Sequence, residues 1–410
     1  MRKLGAPVAL LALALALSAL SIHPASASST HREGSSHATR IQEKDPRHDA
    51  TSRRAVPRLR VKTIARGLDV PWDVRPIGGG QLLFTQRDSA TLTLIDQDAD
   101  LHHVQFPSNK VWVSGETGLL GLEIDPDFST NHRIYTCQGW KLPGGHKDIR
   151  VIAWRLNADL SAATHPDLLI KGIQTVTGRH GGCRLLIDKA GSMHVGTGDA
   201  AVTRNPQSLR SLNGKTLRLD PETGRPWSTN PWRHAKNKKK RYIFTYGHRN
   251  VQGLAQRADG TLWSVEHGTY RDDEINLLGR GRNYGWQPGP HYDESPPMTN
   301  FALPGKQWPA RWRSGNPTIA TSGASFVSGR GWGALSGTLA VGCLAGERLM
   351  FVKLDDSGHL VRTWAPARLH GDYGRIRGVT TYRGGLLITT SNGGGGHSGV
   401  DKILWVHPRR

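Results

Sequence analysis

A hairpin pattern that recurs along the chain limits what this sequence can fold into. Each copy has a turn containing glycine, asparagine or aspartate, followed by a short strand rich in apolar residues. Glycine and asparagine supply the positive φ that tight hairpins need, so each copy predicts two antiparallel strands. The six copies are GGGQLLFTQRD near Gly79, NHRIYTC near Asn131, GSMHVGTGD near Gly191, DGTLWSVEHG near Asp259, SGTLAVGCL near Ser336 and GGLLITTSN near Gly384.

These hairpins predict an all-β fold, a six-bladed β-propeller. Their spacing of roughly 50 to 80 residues is typical of blades with long connecting loops. The 49 glycines and 23 prolines suit turns rather than helices. A β-sandwich is the structural alternative, but it would not repeat one hairpin at this spacing. Because the loops of a propeller surround a central channel, we expect functional residues at the hairpin ends and in the loops between them.

The amino-terminal sequence is typical of a secretory leader followed by a linker. Basic residues precede an apolar run from Pro7 to Ile22, and small residues end a cleavage pattern at Ala27. This run is short for a membrane span. The next stretch has almost no large apolar side chains, so it cannot offset the entropy of ordering. The predicted organisation is a signal peptide at 1–27, a disordered polar tether at 28–58 and a propeller domain at 59–410.

This organisation predicts an exported protein, periplasmic or secreted, with no transmembrane anchor after signal cleavage. The formal net charge of +21 indicates attraction to polyanions. The densest basic run, His234 to Tyr242, has no interleaved aromatic residues of the kind that a single-strand binding groove uses. A solvated loop is therefore the favoured interpretation, and no specific nucleic-acid partner is expected.

The chain has three cysteines, Cys137, Cys183 and Cys343. In an exported protein an odd number allows at most one internal disulfide and leaves one thiol over. Their spacings do not resemble a metal-binding knuckle. The sequence leaves the pairing open, and it also leaves open whether the protein is a monomer or a homodimer.

The segment from Thr245 to Gln287 carries the residues with the most evident chemistry. Arg249 offers a rigid fork of donors that suits a planar anionic ligand. Carboxylates and carbonyls near Gly268 are hard oxygen ligands of the kind that calcium prefers. The alternative is structural, with the acidic run Asp272–Glu274 capping a solvent turn and Arg249 pairing with one of its carboxylates.

This segment resembles the glucose/sorbosone dehydrogenase family in an ordered series of motifs, YGHRN-QG, EHG, DDEINL and G-NYGW. Other pieces resemble the family in the same order along the chain, and together they span the predicted propeller but not the tether. They are GLDVPWDV at Gly67, GETGLLGLEIDPDF at Gly115, RHGGCRL at Arg179, LNGKTLRLDPETG at Leu212 and GRIRGV at Gly374. The resemblance implies a soluble quinoprotein on a six-bladed propeller that uses pyrroloquinoline quinone (PQQ) and calcium. It would oxidise aldose sugars to lactones and pass electrons to a diffusible or membrane-bound acceptor.

The resemblance also implies a catalytic set. His180 matches the general base that takes the proton from the anomeric hydroxyl, and a histidine suits this role near neutral pH. Asp199 matches the carboxylate that orients the base. Glu116 stands where some members have a glutamine that assists the base. Cys183 departs from the glycine that usually stands at its position.

The same resemblance assigns ligand-binding residues. Those that match PQQ-binding positions are Arg249, Asn250, Thr318, Arg375 and Arg377. Gly268 and Thr269 match the residues whose backbone carbonyls hold the catalytic calcium, although the family usually has proline at the second position. Glu274 and Tyr284 resemble ligands of a second, structural calcium.

Two departures concern cofactor affinity. Ala345 stands where the family often has a basic residue that contacts the quinone, and Gly378 replaces an aspartate that often follows the arginine pair. These departures keep open a non-catalytic propeller that binds a glycan or a protein partner. A lactone hydrolase on a calcium propeller is disfavoured, because its site needs converging carboxylates and the residues expected at this channel are mostly basic.

Overall fold

The structure, a computed structural model, describes residues 55–394 and 398–409. The predicted signal peptide and all but the last residues of the predicted tether lie outside the described residues. The described chain forms six antiparallel sheets of four strands each, which confirms the predicted six-bladed β-propeller.

The blades are numbered in chain order. Blade 1 contains β2 (Pro71–Gly78), β3 (Gln81–Gln86), β4 (Thr91–Ile95) and β5 (Leu101–Val104). Blade 2 contains β6 (Leu119–Ile124), β7 (Arg133–Lys141), β8 (Lys147–Leu156) and β9 (Ala163–Ile173). Blade 3 contains β10 (Gly182–Ile187), β11 (Met193–Thr197), β12 (Lys215–Leu219) and β13 (Ile243–Tyr246).

Blade 4 contains β14 (Val251–Gln256), β15 (Leu262–Glu266), β16 (Glu274–Leu278) and β17 (Trp312–Arg313). Blade 5 contains β18 (Thr321–Phe326), β19 (Leu339–Cys343), β20 (Arg348–Leu354) and β21 (Leu360–Trp364). Blade 6 contains β22 (Ile376–Tyr382), β23 (Gly385–Thr390), β24 (Asp401–Pro408) and β1 (Leu59–Leu68).

Helical structure among the described residues is short. One α-helical turn spans Phe128–Asn131. The 3₁₀ turns are Ser108–Lys110, Pro143–Gly145, Lys239–Tyr242, Pro290–Tyr292, Arg330–Leu335 and Ala367–Leu369. None of these helices is long and apolar enough to cross a membrane.

Each predicted hairpin joins the first and second strands of one blade. The first strands of neighbouring blades contact one another around the ring, including β22 against β2. The ring is closed by β1, which pairs with β24 from Leu59↔Pro408 to Leu68↔Asp401. Since all six first strands run the same way along the channel, residues that precede them lie at one end of the propeller.

The core lies between the blades. In blade 3, for example, Leu185, Val195 and Leu217 are neighbours across three strands and are fully buried. Burying an aliphatic side chain of this size stabilises a fold by about 1.5–3 kcal/mol relative to leaving it exposed. Rows of this kind hold the first strands in place and thereby fix the loops at the channel end.

One disulfide, Cys137–Cys183, joins β7 of blade 2 to β10 of blade 3. Cys343 is a free, buried thiol, and burial raises its pKa to about 12. The expected limit of one internal disulfide is therefore confirmed. The basic run His234–Tyr242 lies in the connection between β12 and β13 and ends in a 3₁₀ turn.

Candidate active site

The residues assigned from the resemblance come to one end of the channel. Most of them precede a first strand or follow a second strand. Those before a first strand are Glu116, His180, Arg249, Asn250, Thr318 and Arg375, and those after a second strand are Asp199, Gly268 and Thr269. Arg377 lies near the start of β22.

The backbone around His180 explains why glycines surround this histidine. His180 has a left-handed φ of 54°, and Gly182 has a φ of 62°. A Cβ on Gly182 would lie 2.4 Å from the backbone nitrogen of Gly198, so no larger side chain fits there. Cys183 also has a positive φ, 79°, and carries one half of the disulfide. The strand start that holds His180 is therefore packed directly against the chain that leads to Asp199.

His180 and Asp199 form a buried pair. The His180 Nδ1 lies 2.8 Å from the Asp199 Oδ1, and the two residues are 2% and 0% exposed. Because a carboxylate only accepts hydrogen bonds, Nδ1 carries the proton and Nε2 keeps its lone pair. Nε2 has no hydrogen-bond partner among the described residues.

Two aromatic residues from the connection between β16 and β17 complete this pair. The Trp286 Nε1 donates to the Asp199 Oδ2 at 2.8 Å, and the Tyr292 hydroxyl donates to the same oxygen at 2.7 Å. The Tyr292 hydroxyl is also 2.9 Å from the His180 Nδ1. Burial alone would raise the pKa of Asp199, but the hydrogen bonds from His180, Tyr292 and Trp286 hold it below its usual range.

Glu116 lies beside the backbone of His180 rather than its ring. The Glu116 Oε2 accepts from the His180 backbone N–H at 3.2 Å and from the Asn250 Nδ2 at 3.0 Å. Asn250 in turn accepts from the Gly182 N–H and from Gln252. Glu116 and Asn250 thus brace the loop that presents His180.

Three arginines are buried beside this loop and are named the arginine cluster: Arg184, Arg249 and Arg377. The Arg377 Nη1 donates to the Gln252 Oε1 at 2.7 Å, but its Nε has no partner among the described residues. The Nη2 of buried Arg184 also has none, although its Nη1 donates to the Asp73 carboxylate at 2.7 Å. The pKa of Arg377 is lowered to about 9, chiefly by burial and then by neighbouring positive charges. These neighbours include Arg87, Arg375 and Arg184.

His267 lies among the predicted ligand-binding residues, although the sequence did not single it out. Burial holds its pKa well below the usual range, and nearby charges lower it further, so its ring is neutral. Those charges are the guanidinium groups of Arg377, Arg249 and Arg375. Its Nε2 is buried without a partner in the described part of the chain. The EHG motif that contains it was the available signal.

Arg249 pairs with a residue that the sequence analysis missed. Its Nε and Nη2 donate to the Glu294 Oε1 at 2.9 and 2.6 Å, and its Nη1 donates to the His267 carbonyl at 3.3 Å. The alternative that Arg249 pairs with the acidic run Asp272–Glu274 is therefore wrong. Glu294 lies in an irregular blade connection without a recognisable motif.

The loop after β15 is held by Asp273, which is buried and does not cap a solvent turn. Its carboxylate accepts from the backbone N–H groups of Gly268 and Ile319 at 2.9 and 2.7 Å, and from the Thr318 hydroxyl at 3.1 Å. A Cβ on Gly268 would collide with the Arg271 carbonyl at 2.1 Å. Within the described ranges no hydrogen bond reaches the carbonyl oxygen of Gly268 or Thr269.

Glu274 is buried next to a second carboxylate. Burial and the negative charge of Glu266 raise its pKa well above its ordinary range. Its carboxylate contacts the Thr299 hydroxyl at 3.1 Å and the Asn276 Nδ2 at 3.3 Å, while the Asn276 Oδ1 is buried without a partner among the described residues. The Tyr284 hydroxyl donates to the Leu277 carbonyl at 2.6 Å, so only the backbone of Tyr284 is left for a metal.

Within residues 55–394 and 398–409 no three His, Cys, Asp or Glu side chains form a metal-binding group. The predicted calcium positions depend instead on backbone carbonyls and on single carboxylates. Ala345 is exposed in the turn between β19 and β20, so that position offers no cation to a ligand.

Known proteins share both the sequence pattern and this architecture. The Glucose / Sorbosone dehydrogenase family profile matches residues 68–400. Aldose sugar dehydrogenase YliI of Escherichia coli (strain K12) is 29% identical over 307 residues, which cover 73% of this chain and 79% of that protein. The PQQ-bound aldose sugar dehydrogenase of Streptomyces coelicolor is 29% identical with a TM-score of 0.72, covering 86% of this chain and 100% of its own. The apo-form of the soluble Escherichia coli aldose sugar dehydrogenase is 26% identical with a TM-score of 0.74, at 86% and 100% coverage. Since the family profile spans most of the chain, the protein belongs to the glucose/sorbosone dehydrogenase family.

Proposed function

We propose that the protein is an exported, PQQ-dependent dehydrogenase that oxidises aldose sugars at C1 to lactones, with His180 as the general base. The observation that carries this proposal is the buried His180–Asp199 pair beside a cluster of buried arginines with unpaired donors. The pair suits proton abstraction and the cluster suits an anionic cofactor. Membership of the family supports the oxidoreductase class.

The arginine cluster fits the quinone. PQQ carries three carboxylates, and a buried guanidinium without an acceptor is costly unless an anion pairs with it. The Arg377 Nε and the Arg184 Nη2 lack an acceptor among the described residues, although Arg184 already pairs with Asp73 at 2.7 Å, so Arg377 is the one of the two without a carboxylate partner there. Arg249, Asn250, Thr318, Arg375 and Arg377 are the residues proposed to hold PQQ. The S. coelicolor relative was solved with PQQ bound, which favours the same cofactor here.

Calcium fits two positions. The carbonyl oxygens of Gly268 and Thr269 are hard ligands that accept no hydrogen bond within the described chain, so they suit the catalytic ion. The second position is a structural one, for which we propose the Glu274 carboxylate, the Tyr284 backbone carbonyl and the unpartnered Asn276 Oδ1. A cation there would offset the repulsion between Glu274 and Glu266.

In the proposed reaction the sugar loses a proton from its C1 hydroxyl and a hydride from C1, which leaves the lactone. The His180 Nε2 accepts the proton, because Asp199 keeps the other ring nitrogen protonated. Asp199 then stabilises the imidazolium, and Trp286 and Tyr292 hold the carboxylate in place. When bound, calcium-held PQQ supplies the two-electron acceptor for the hydride. A diffusible or membrane-bound acceptor would then reoxidise it.

Export is part of the proposal. The predicted signal peptide at 1–27 supports a periplasmic or secreted location, and the Cys137–Cys183 disulfide is a feature more common in exported proteins than in cytosolic ones.

The test is a titration of the purified mature protein with PQQ in calcium buffer, followed by addition of an aldose while the quinone absorbance is recorded. Saturable binding and bleaching by the sugar are expected. A folded protein that does not bind micromolar PQQ would contradict the proposal. That result would favour a non-catalytic propeller that binds a glycan or protein partner, an alternative that the exposed Ala345 supports.

A further inference from the structure

One segment of the connection between β16 and β17 contacts both the His180–Asp199 pair and the arginine cluster. This segment, residues 289–295, is named the strap. It is closed by a hydrogen bond from the Gly289 N–H to the Asp293 carbonyl at 2.7 Å and is anchored by Tyr292 N–H to the Thr203 Oγ1 at 3.1 Å. Tyr292 reaches the His180–Asp199 pair, and Glu294, two residues later, reaches the arginines.

Glu294 occupies the edge of Arg249 that a ligand carboxylate would use. Its Oε1 accepts from two nitrogens of that guanidinium, and its Oε2 accepts from the Arg179 Nη2 at 2.6 Å. Burial would raise the pKa of Glu294, but the charges and hydrogen bonds of Arg249 and Arg179 lower it overall, so Glu294 is ionised at neutral pH. Two carboxylates cannot pair with the same guanidinium edge at once.

Arg249 would remain in place if Glu294 left. Its Nη1 donates to the His267 carbonyl, and its backbone N–H donates to the Glu266 Oε2 at 2.9 Å. Arg179 differs, because its side chain is 43% exposed and its guanidinium lies over the Tyr292 ring. Glu294 is itself 26% exposed and already touches Arg179. It can therefore lose Arg249 and keep an ionic partner near the surface.

We propose that Glu294 is a built-in competitor of the anionic cofactor, paired with Arg249 in the quinone-free protein and transferred to Arg179 alone when a cofactor carboxylate binds Arg249. This inference rests on the proposed PQQ function. It implies that the affinity for PQQ is lower than the arginine cluster alone would give, because binding must first break the contact between Arg249 and Glu294.

The test is the equilibrium affinity for PQQ in calcium buffer, measured by quenching of tryptophan fluorescence. Glu294→Gln is expected to bind PQQ about tenfold more tightly or better, because binding no longer has to break the ion pair with Arg249 and the coupling within close charge pairs is about tenfold or more. The matched control is Glu222→Gln, an exposed position in the connection between β12 and β13. Thermal unfolding would verify that each variant is folded.

The outcomes separate this inference from the function on which it rests. If the wild type binds PQQ and Glu294→Gln binds it equally or more weakly, Glu294 is not a competitor of the cofactor. The proposal that the protein binds PQQ would then still hold. Failure of all folded variants to bind would overturn the cofactor assignment and the competitor with it.

Arg179→Ala tests the transfer step. It is expected to weaken PQQ binding in the wild-type background, because Glu294 then has no second partner, and to have little effect in the Glu294→Gln background. An equal loss in both backgrounds would mean that Arg179 binds the cofactor directly and would contradict the transfer.

Discussion

The His180–Asp199 pair and the arginine cluster lie at the same end of the channel but differ in how far their polar groups are satisfied. Asp199 accepts hydrogen bonds from His180, Trp286, Tyr292 and the backbone N–H of Ala201. In the arginine cluster, by contrast, Arg184 and Arg377 keep donors without a partner in the described structure.

The two halves of the site, the His180–Asp199 pair with its partners and the arginine cluster, are therefore suited to different partners. A satisfied hydrogen-bond network holds its members rigidly, so His180, the proposed base, is in position before any ligand arrives. Buried donors without acceptors destabilise the free protein, so the arginine cluster gains most from a bound anion.

Removing His180, the proposed base, should lower turnover without changing the affinity for the cofactor. In the reconstituted protein, His180→Gln is expected to lower sugar oxidation by about 10²- to 10⁴-fold, the range for loss of a general base. PQQ affinity should stay close to that of the wild type, because the arginines are untouched. Steady-state turnover and a PQQ titration measure the two effects. His234→Gln, an exposed histidine in the β12–β13 connection, is the control, and unchanged turnover in His180→Gln would refute the assignment.

The Cys137–Cys183 disulfide, which lies close to His180 in the sequence, should contribute strongly to stability. It closes a loop of 46 residues between blades 2 and 3. Loop-closure entropy alone gives roughly 4 kcal/mol for a loop of that length. The double variant Cys137→Ser/Cys183→Ser should therefore unfold at much lower urea concentration than the control Cys343→Ala. A urea midpoint equal to that of the control would show that the disulfide adds no stability.

Removing a cation from the arginine cluster should raise the stability of the quinone-free protein and lower its affinity for PQQ. Arg377→Met removes a buried charge with an unpaired Nε, so the quinone-free protein is expected to melt at a higher temperature. Its PQQ affinity should fall by about tenfold or more, because one charged partner of the cofactor is lost. Thermal unfolding and the same titration give both values, with the exposed Arg66→Met as control. A lower melting temperature would show that Arg377 is already satisfied without a ligand.

The His180–Asp199 pair and its hydrogen-bond partners were only partly predictable from the sequence. The blades were predictable because each hairpin depends on a local requirement for positive φ at its turn, as at Gly191. His180 and Asp199 were predictable because they stand in motifs of the family. Tyr292 was not, because its position depends on a left-handed φ of 62° in a non-glycine residue and on its anchor at Thr203.

The arginine cluster was also only partly predictable from the sequence. Arg249 and Arg377 were predicted by residue type and motif, but their present partners were not. Glu294 reaches Arg249 from 45 residues along the chain, through a connection whose path is set by tertiary contacts. Gln252 contacts Arg377 only because β14 and β22 both belong to the ring of first strands. Sequence patterns identify such residues one at a time, while their pairing depends on the closed ring.

Glu274 is a buried carboxylate whose cation partner among the described residues, Arg313, lies 3.9 Å away and is 42% exposed. Its pKa is raised by burial and by Glu266, so the folded protein holds a proton there that the unfolded chain releases above about pH 4.3. Without calcium, stability from this group should be fully present below that pH and should be lost as pH rises toward the raised pKa. Calcium should restore a few degrees of melting temperature at neutral pH, because it binds the ionised carboxylate. Glu274→Gln should remove this contribution to the pH dependence and the part of the calcium effect that comes from the structural site, while stabilisation by calcium at Gly268 and Thr269 should remain. Melting curves against pH, with and without calcium, measure this, and a calcium effect as large in Glu274→Gln as in the wild type would show that Glu274 does not hold calcium.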